Sequence, residues 1–368
     1  DSTGAFKPEI LNDVLHLDLP GLNKEKVAEY IESNQTEDLY RYLLLTQCNA
    51  LNESLPLMFE RMGGFTELLL PNNILKEEGI LGRMLSDIDE ADWTDQIEII
   101  GWLYQYYNTD LFNAIFDGDK SRKSLKAEDI PSATQLFTPD WAVRYMVENS
   151  LGKLWIEGHP NDELKEGWKY YLDEAEQDVD TQAKIEAIRA DYRNMKPQDI
   201  KVIDPCMGSG HILVYAFDVL VQIYKTYGIS ERDAAQSILA NNLYGLDIDD
   251  RAAQLAYFAV MMKARQYDRR IFSRGIQPHV YAIVESNGLD ASTIEYFTNN
   301  DPKLRIDFRT LVSELVDAKE YGSILNISQV DFAALYTRIS EVRNDISIFR
   351  EIVLNTIEPV SYTHLTLP

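Results

Sequence analysis

The chain has 368 residues, 45% hydrophobic and 26% charged, an ordinary globular composition long enough for two domains or one large domain with a helical annex. It holds no apolar run of about eighteen residues and no charged-then-apolar leader, so neither a membrane span nor secretion is expected. A formal net charge of −25 speaks against duplex binding by these residues, since such binding draws on Lys and Arg that displace counterions. The two cysteines, Cys48 and Cys206, exclude a disulfide framework or a cysteine-rich zinc site and fit a reducing cytoplasm.

From Phe6 to about Glu128 the apolar spacing predicts helices throughout. Leu11, Val14 and Leu15 share one face, and Val27, Tyr30 and Ile31 another. Leu39, Tyr42, Leu43 and Thr46 form a third stripe, and Ile97, Ile100, Leu103 and Tyr107 a fourth. Pro20-Gly21, Gly63-Gly64 and Pro71-Asn72-Asn73 punctuate them. The aromatic cluster Trp102, Tyr104, Tyr106 and Tyr107 is expected to pack in a core or interface rather than to stack bases. Further on, Thr138 suits an N-cap and Pro139 the first position of a helix lined by Ala142, Tyr145 and Met146. Glu157 to Asp191 is charged and helix-prone, an exposed insertion whose charges face solvent.

The chain is organised around Val202-Ile203-Asp204-Pro205-Cys206-Met207-Gly208-Ser209-Gly210-His211. An apolar run, an acid, a Gly-Ser-Gly turn and a long apolar helix ending near Tyr224 read as strand, tight loop and helix. Gly208 and Gly210 let the backbone approach a ligand, and the N–H groups of the helix starting near His211 point at it. Ser230 to Ala240 is a further helix ended by Asn241-Asn242. Leu243 to Asp249 then reads as a second strand ending in acid, followed by an alanine-rich helix from Arg251 to Gln266. A carboxylate at that strand end is where adenosine-binding sheets hold ribose hydroxyls. Asp249 and Asp250 are assigned to the N-cap and first turn of the next helix. His279 to Asn287 is the third strand, with a polar exit at Ser286 and Asn287. From Leu304 to Thr356 the pattern is helical, with Leu311, Leu315 and Val316 on one face.

Asp204-Pro205-Cys206-Met207-Gly208-Ser209-Gly210 resembles the Asp-Pro-x-x-Gly-(Ser/Thr)-Gly first motif of amino-group DNA methyltransferases. The resemblance implies S-adenosylmethionine as cofactor. Its ammonium would pair with Asp204 and its carboxylate would face the N–H groups of the loop that Pro205, Cys206, Gly208, Ser209, Gly210 and His211 build, with Asp247 and Ile248 on the ribose side. Phe137-Thr138-Pro139, standing ahead of that motif, resembles the tenth motif in the gamma order of the same enzymes, which closes over the methionine end. The family's third motif implies that Ser286 and Asn287 contact the adenine ring. Together with Glu98 to Tyr107 and Glu285-Ser286-Asn287, these segments look like the large adenine-specific methyltransferase of bacterial phage-exclusion (BREX-type) systems.

What the resemblance implies is methyl transfer to adenine N6 in host DNA, in the cytoplasm. Double-stranded DNA would be bound through a C-terminal part that this chain lacks, and other phage-defence proteins are further partners. The family's (Asp/Asn/Ser)-Pro-Pro-(Tyr/Phe/Trp) motif, which receives the flipped base, is absent, because no two prolines are adjacent. No catalytic residue or metal ligand is therefore assigned, and the fragment is expected to bind cofactor without turnover. Two alternatives stay open: a methyltransferase acting on RNA, protein or a small molecule, and a non-catalytic acidic interaction module. The expected fold is α/β, a helical N-terminal domain (1–130) followed by part of a Rossmann-like, doubly wound methyltransferase sheet (131–300, with a helical insertion at 157–196) and a helical segment (301–358). The last nine residues, Val360 to Pro368, resemble a sequencing-adapter read-through and are set aside as a non-native tail.

Overall fold

The computed structural model describes residues 8–12, 14–59, 65–89, 91, 99–116, 129–134, 137–287, 289–321 and 328–343. The Gly63-Gly64 turn, Ile97, Glu98, the expected helical sequence after residue 343 and the foreign-looking tail lie outside them. The chain divides into two units, Asp1–Ile99 and Ile100–Pro368.

In the first unit, α1 (Lys24–Glu32) and α2 (Thr36–Leu51) carry the expected apolar stripes in part: Val27, Leu39, Leu43 and Thr46 are buried, but Ile31, expected to share the face of Val27, is 44% exposed. Asn23 starts α1: its side-chain oxygen accepts from the N–H groups of Glu25 (2.9 Å) and Lys26 (3.2 Å), donors that a helix start leaves unpaired. Val27 of α1 meets Leu39 and Leu43 of α2 and Val14 in a small buried core. The spacing at Leu11, Val14 and Leu15 does not make one helix. It is split between two 3-10 turns, Glu9–Leu11 and Val14–His16.

The second unit begins within α3 (Ile99–Tyr107). Its aromatic cluster is not buried as a core: Trp102 is 40% exposed, Tyr106 75% and Tyr107 72%. Four aromatics within six positions spread around the helix, and a helix resting on one side covers only part of them. After α4 (Asp140–Val147) comes a π-helical turn, Glu148–Gly152. The charged insertion forms short helices and α5 (Val179–Tyr192), which buries none of its residues, as expected of an exposed insertion; its Arg189, however, is only 14% exposed and pairs with Glu157, Glu174 and Glu186.

Among the described residues the sheet has three parallel strands in the order β1 (Val202–Asp204), β2 (Leu243–Asp247), β3 (His279–Ala282). Val202 pairs with Leu243 and Asp204 with Gly245, while Tyr244 pairs with His279 and Asp247 with Ala282. Parallel neighbours need helical crossovers. α6 (His211–Thr226) and α7 (Glu231–Asn241) join β1 to β2, and α8 (Asp250–Tyr267) joins β2 to β3. α6 buries Leu213, Phe217, Leu220 and Tyr224, which explains its near-continuous apolar sequence. Fully buried Asn242 fixes where β1 and β2 start. Its amide donates to the carbonyls of Pro197 (2.7 Å) and Ile200 (2.8 Å), and its oxygen accepts from the Tyr224 hydroxyl (2.9 Å).

Beyond β3, α9 (Ala291–Thr298), α10 (Pro302–Glu314) and α11 (Phe332–Arg343) pack Phe297, Phe308, Leu311 and Leu335 against Leu246 and Ile283. Leu315 is buried with them, but Val316, expected on the same face, is exposed. The helix ends at Glu314, so the periodicity no longer holds there. No described helix is long and apolar enough to cross a membrane.

Candidate functional site

A cleft of about 340 Å³ opens at the carboxyl ends of β1 and β2. Pro205, Cys206, Gly208 and Ser209 of the glycine loop line it, with Asp247, Ile248 and Asp249 after β2 and Ala252 on α8. The loop exists because two residues take the left-handed backbone that only glycine adopts freely, Gly208 at φ +54° and Gly210 at φ +84°. The two are not equivalent. A Cβ on Gly208 would enter open space, whereas one on Gly210 would lie 2.9 Å from the Cβ and 3.0 Å from the Cα of Ala256, so Gly210 also lets α8 pass close to the loop.

Two carboxylates frame the loop. Asp204 ends β1, only 7% exposed; one oxygen accepts from the Cys206 N–H (3.1 Å) and the other is buried with no partner among the described residues. Burial, above all, raises its pKa; the Cys206 N–H opposes that and the charge of Asp247 adds to it. Asp247 ends β2 with both oxygens engaged, Oδ2 by the Gly208 N–H (2.8 Å) and Oδ1 by the Asp249 N–H (2.8 Å). Burial also raises its pKa, against those two hydrogen bonds.

The loop amides depart from expectation. The Gly208 N–H is taken by Asp247 and the Gly210 N–H by the Met207 carbonyl (2.8 Å), so neither is left to face a bound carboxylate. Both bonds stay inside the protein because the left-handed turns that glycine permits fold the loop back on itself.

His211 opens α6, nearly buried. Its Nδ1 lies 3.0 Å from the Thr138 carbonyl, which can only accept, so that nitrogen carries the proton. The His211 ring stacks on Phe137 (4.7 Å between centroids, 16° between planes), and Phe137 meets Trp102 edge-on. Phe137-Thr138-Pro139 is thereby fastened to the start of α6, next to the glycine loop. Its capping role is corrected by one residue. Pro139 is the N-cap, extended at ψ 143° and making no side-chain cap bond, and α4 starts at Asp140.

Ser286 and Asn287 are not brought to this cleft. The buried Ser286 hydroxyl donates to the Val312 carbonyl (2.5 Å). The Asn287 amide donates to the Asp317 carboxylate (2.8 Å) while its oxygen accepts from the Asp317 N–H (3.0 Å), and Asp317 sits at φ +53°. The exit of β3 therefore holds the turn after α10. That turn supplies Lys319, Glu320 and Tyr321 to the cleft, with the Lys319 ammonium 3.1 Å from Asp250. Sequence reasoning missed these three, and it missed Gly101, Tyr104 and Gln105 of α3. A Cβ on Gly101 would lie 2.6 Å from the Ser209 hydroxyl and 2.8 Å from the Phe137 ring, which places α3 directly against the loop. The glycine within an aromatic helix was the available signal.

Set beside known proteins, residues 176–285 match the family model described as MmeI, DNA-methyltransferase domain. The chain is 42% identical over 339 residues to the adenine-specific methyltransferase BrxX of Escherichia coli O9:H4 (strain HS), covering 86% of this chain and 27% of that protein. It is 39% identical over 347 residues to the adenine-specific methyltransferase PglX of Lacticaseibacillus casei (strain Zhang), covering 88% of this chain and 28% of that protein. The chain thus spans about a quarter of the length of these relatives. The resemblance to adenine-specific methyltransferases drawn from the motifs is borne out.

Proposed function

We propose, from this kinship and from the cleft, that the chain is the S-adenosylmethionine-binding part of a DNA adenine-N6 methyltransferase of a bacterial phage-defence system, working in the cytoplasm. The three parallel strands are then the first half of a Rossmann-like sheet with its crevice at the strand ends. One observation carries the reading: a buried Asp204 oxygen without a partner among the described residues beside a glycine loop whose positive-φ residues admit a ligand. A buried unsatisfied carboxylate costs free energy until a cation meets it, and the cofactor's ammonium is such a cation.

The residues fit the group. Asp204 would hold the ammonium, Asp247 the ribose hydroxyls through its remaining lone pairs, and Ile248 an apolar face of the adenosine. Phe137, Thr138 and Pro139 would close the methionine end, with Pro205, Cys206, Ser209, Gly210 and His211 shaping its floor. When bound, S-adenosylmethionine supplies a methyl group on a sulfonium, ready for direct transfer. The chain's own share is to orient that group and keep water from it. The acceptor for the flipped adenine is not among its residues, since no Pro-Pro pair occurs, and this chain alone turns nothing over. Double-stranded DNA and other defence proteins would be met by the rest of a longer protein, which reconciles the net charge of −25 with a DNA substrate.

That same charge favours a second reading, an acidic interaction module on a cofactor fold that has lost its chemistry. Mass spectrometry of DNA from cells carrying a full-length gene with this segment separates the two. N6-methyladenine in one sequence context, lost with Asp204→Ala, supports the enzyme. Unmodified DNA alongside intact cofactor binding supports the module.

A further inference from the structure

A helix outside the sheet reaches the same cleft. Tyr104 of α3 lines it, and its hydroxyl donates to Asp249. Asp249 has three engagements at once: one carboxylate oxygen caps α8 by accepting from the Arg251 N–H (2.9 Å), the other receives Tyr104, and its own N–H donates to Asp247 (2.8 Å). From the other side Asp247 accepts from the Gly208 N–H (2.8 Å). These bonds form an unbroken run from the α3 hydroxyl, through the 247–249 turn, to the glycine loop. The close fit at Gly101, where no side chain is admitted between α3 and Ser209 or Phe137, keeps the helix in register with that run. Burial and the Asp249 bond raise the Tyr104 pKa, so the hydroxyl stays a donor at any ordinary pH.

We infer that Tyr104 is a positioning residue for the cofactor: by holding the Asp249 carboxylate it fixes the turn that aims Asp247 at the ribose. This rests on the proposed cofactor reading and adds a residue from outside the nucleotide-binding motifs. A rigid carboxylate gains more from a hydroxyl than a mobile one, because less ordering remains to be done on binding. Losing the Tyr104 hydroxyl should therefore weaken the ribose contact in particular. The ring, kept in Tyr104→Phe, continues to fill the wall.

The test is a cycle between protein and ligand. Calorimetric affinities of the 368-residue chain are measured for S-adenosylhomocysteine and for its analogue lacking the ribose hydroxyls, in the wild type, Tyr104→Phe and Asp247→Ala, each shown to be folded by its melting profile. The expected result is that Tyr104→Phe narrows the ratio of the two affinities about fivefold, the scale of one hydrogen bond, and that Asp247→Ala narrows it further. Equal weakening of both ligands by Tyr104→Phe, or no change, would mean that the tyrosine only packs, and would overturn the inference while leaving the cofactor site intact. A ratio unmoved by Asp247→Ala in a folded protein would instead remove the ribose assignment itself.

Discussion

Two strand exits in the second unit look alike in sequence and behave differently in the structure. Asp204 to His211 and Glu285 to Asn287 each follow a β-strand with polar residues, and each resembles a cofactor motif. At the first, a buried carboxylate oxygen is left without a partner among the described residues. At the second, the hydrogen-bonding side chains are spent on the protein: Glu285 on the Lys319 N–H, Ser286 on Val312 and Asn287 on Asp317. Polar residues at a strand end thus indicate a ligand only when the fold leaves them unsatisfied, and otherwise they build the wall beside it.

The largest effect should come from removing the open partner. Asp204→Ala is expected to weaken S-adenosylmethionine binding by about 2 kcal/mol, roughly thirtyfold, the scale of a charge-assisted hydrogen bond, as read by equilibrium dialysis. The loop's shape comes next. Gly210→Ala, at φ +84° and against Ala256, should cost about 2 kcal/mol of stability, while Gly208→Ala, with open space around it, should cost about 1 kcal/mol. Equal losses in urea titrations would show that α8 yields at Ala256. At the other exit, Asn287→Ala should lower stability by about 1 kcal/mol through its two bonds to Asp317 and leave cofactor affinity within about twofold; a larger loss of affinity would return Asn287 to the site.

The smallest effect is a pH dependence with a definite sign. The pKa values of Asp204 and Asp247 are raised in the folded chain, chiefly by burial, so between the ordinary carboxylate range and those raised values the native state binds more protons than the unfolded one. Stability from these groups therefore falls as pH rises through that window, while affinity for a cation grows. Thermal melts of the unliganded wild type should show this fall more steeply than those of Asp204→Asn, and Asp204→Asn should be the more stable protein at neutrality. Parallel curves would mean that Asp204 is not the group being titrated.

Much of this was legible in the sequence. Strand, Gly-Ser-Gly turn and helix at 202–224, the second strand from Leu243 (expected to Asp249, found to Asp247) and the exposed insertion were read from periodicity and turn chemistry, because each is decided locally. What escaped depends on contacts distant in sequence. That Ser286 and Asn287 serve the turn after α10, that Gly208 and Gly210 spend their amides internally, and that Tyr104 reaches Asp249 are all decided by how distant helices dock. Trp102 and Tyr106 depart from the core half of their expectation for the same reason: aromatic content predicts burial on average, but α3 buries only the side it sets against the loop.

The most direct measurement is calorimetric titration of S-adenosylmethionine into three proteins: the wild-type chain, Asp204→Ala and Asn287→Ala. The account predicts binding to the wild type and to Asn287→Ala with similar affinity, and roughly thirtyfold weaker binding to Asp204→Ala with the fold retained. Undiminished binding to Asp204→Ala, or loss confined to Asn287→Ala, would contradict it by placing the cofactor at the other strand exit.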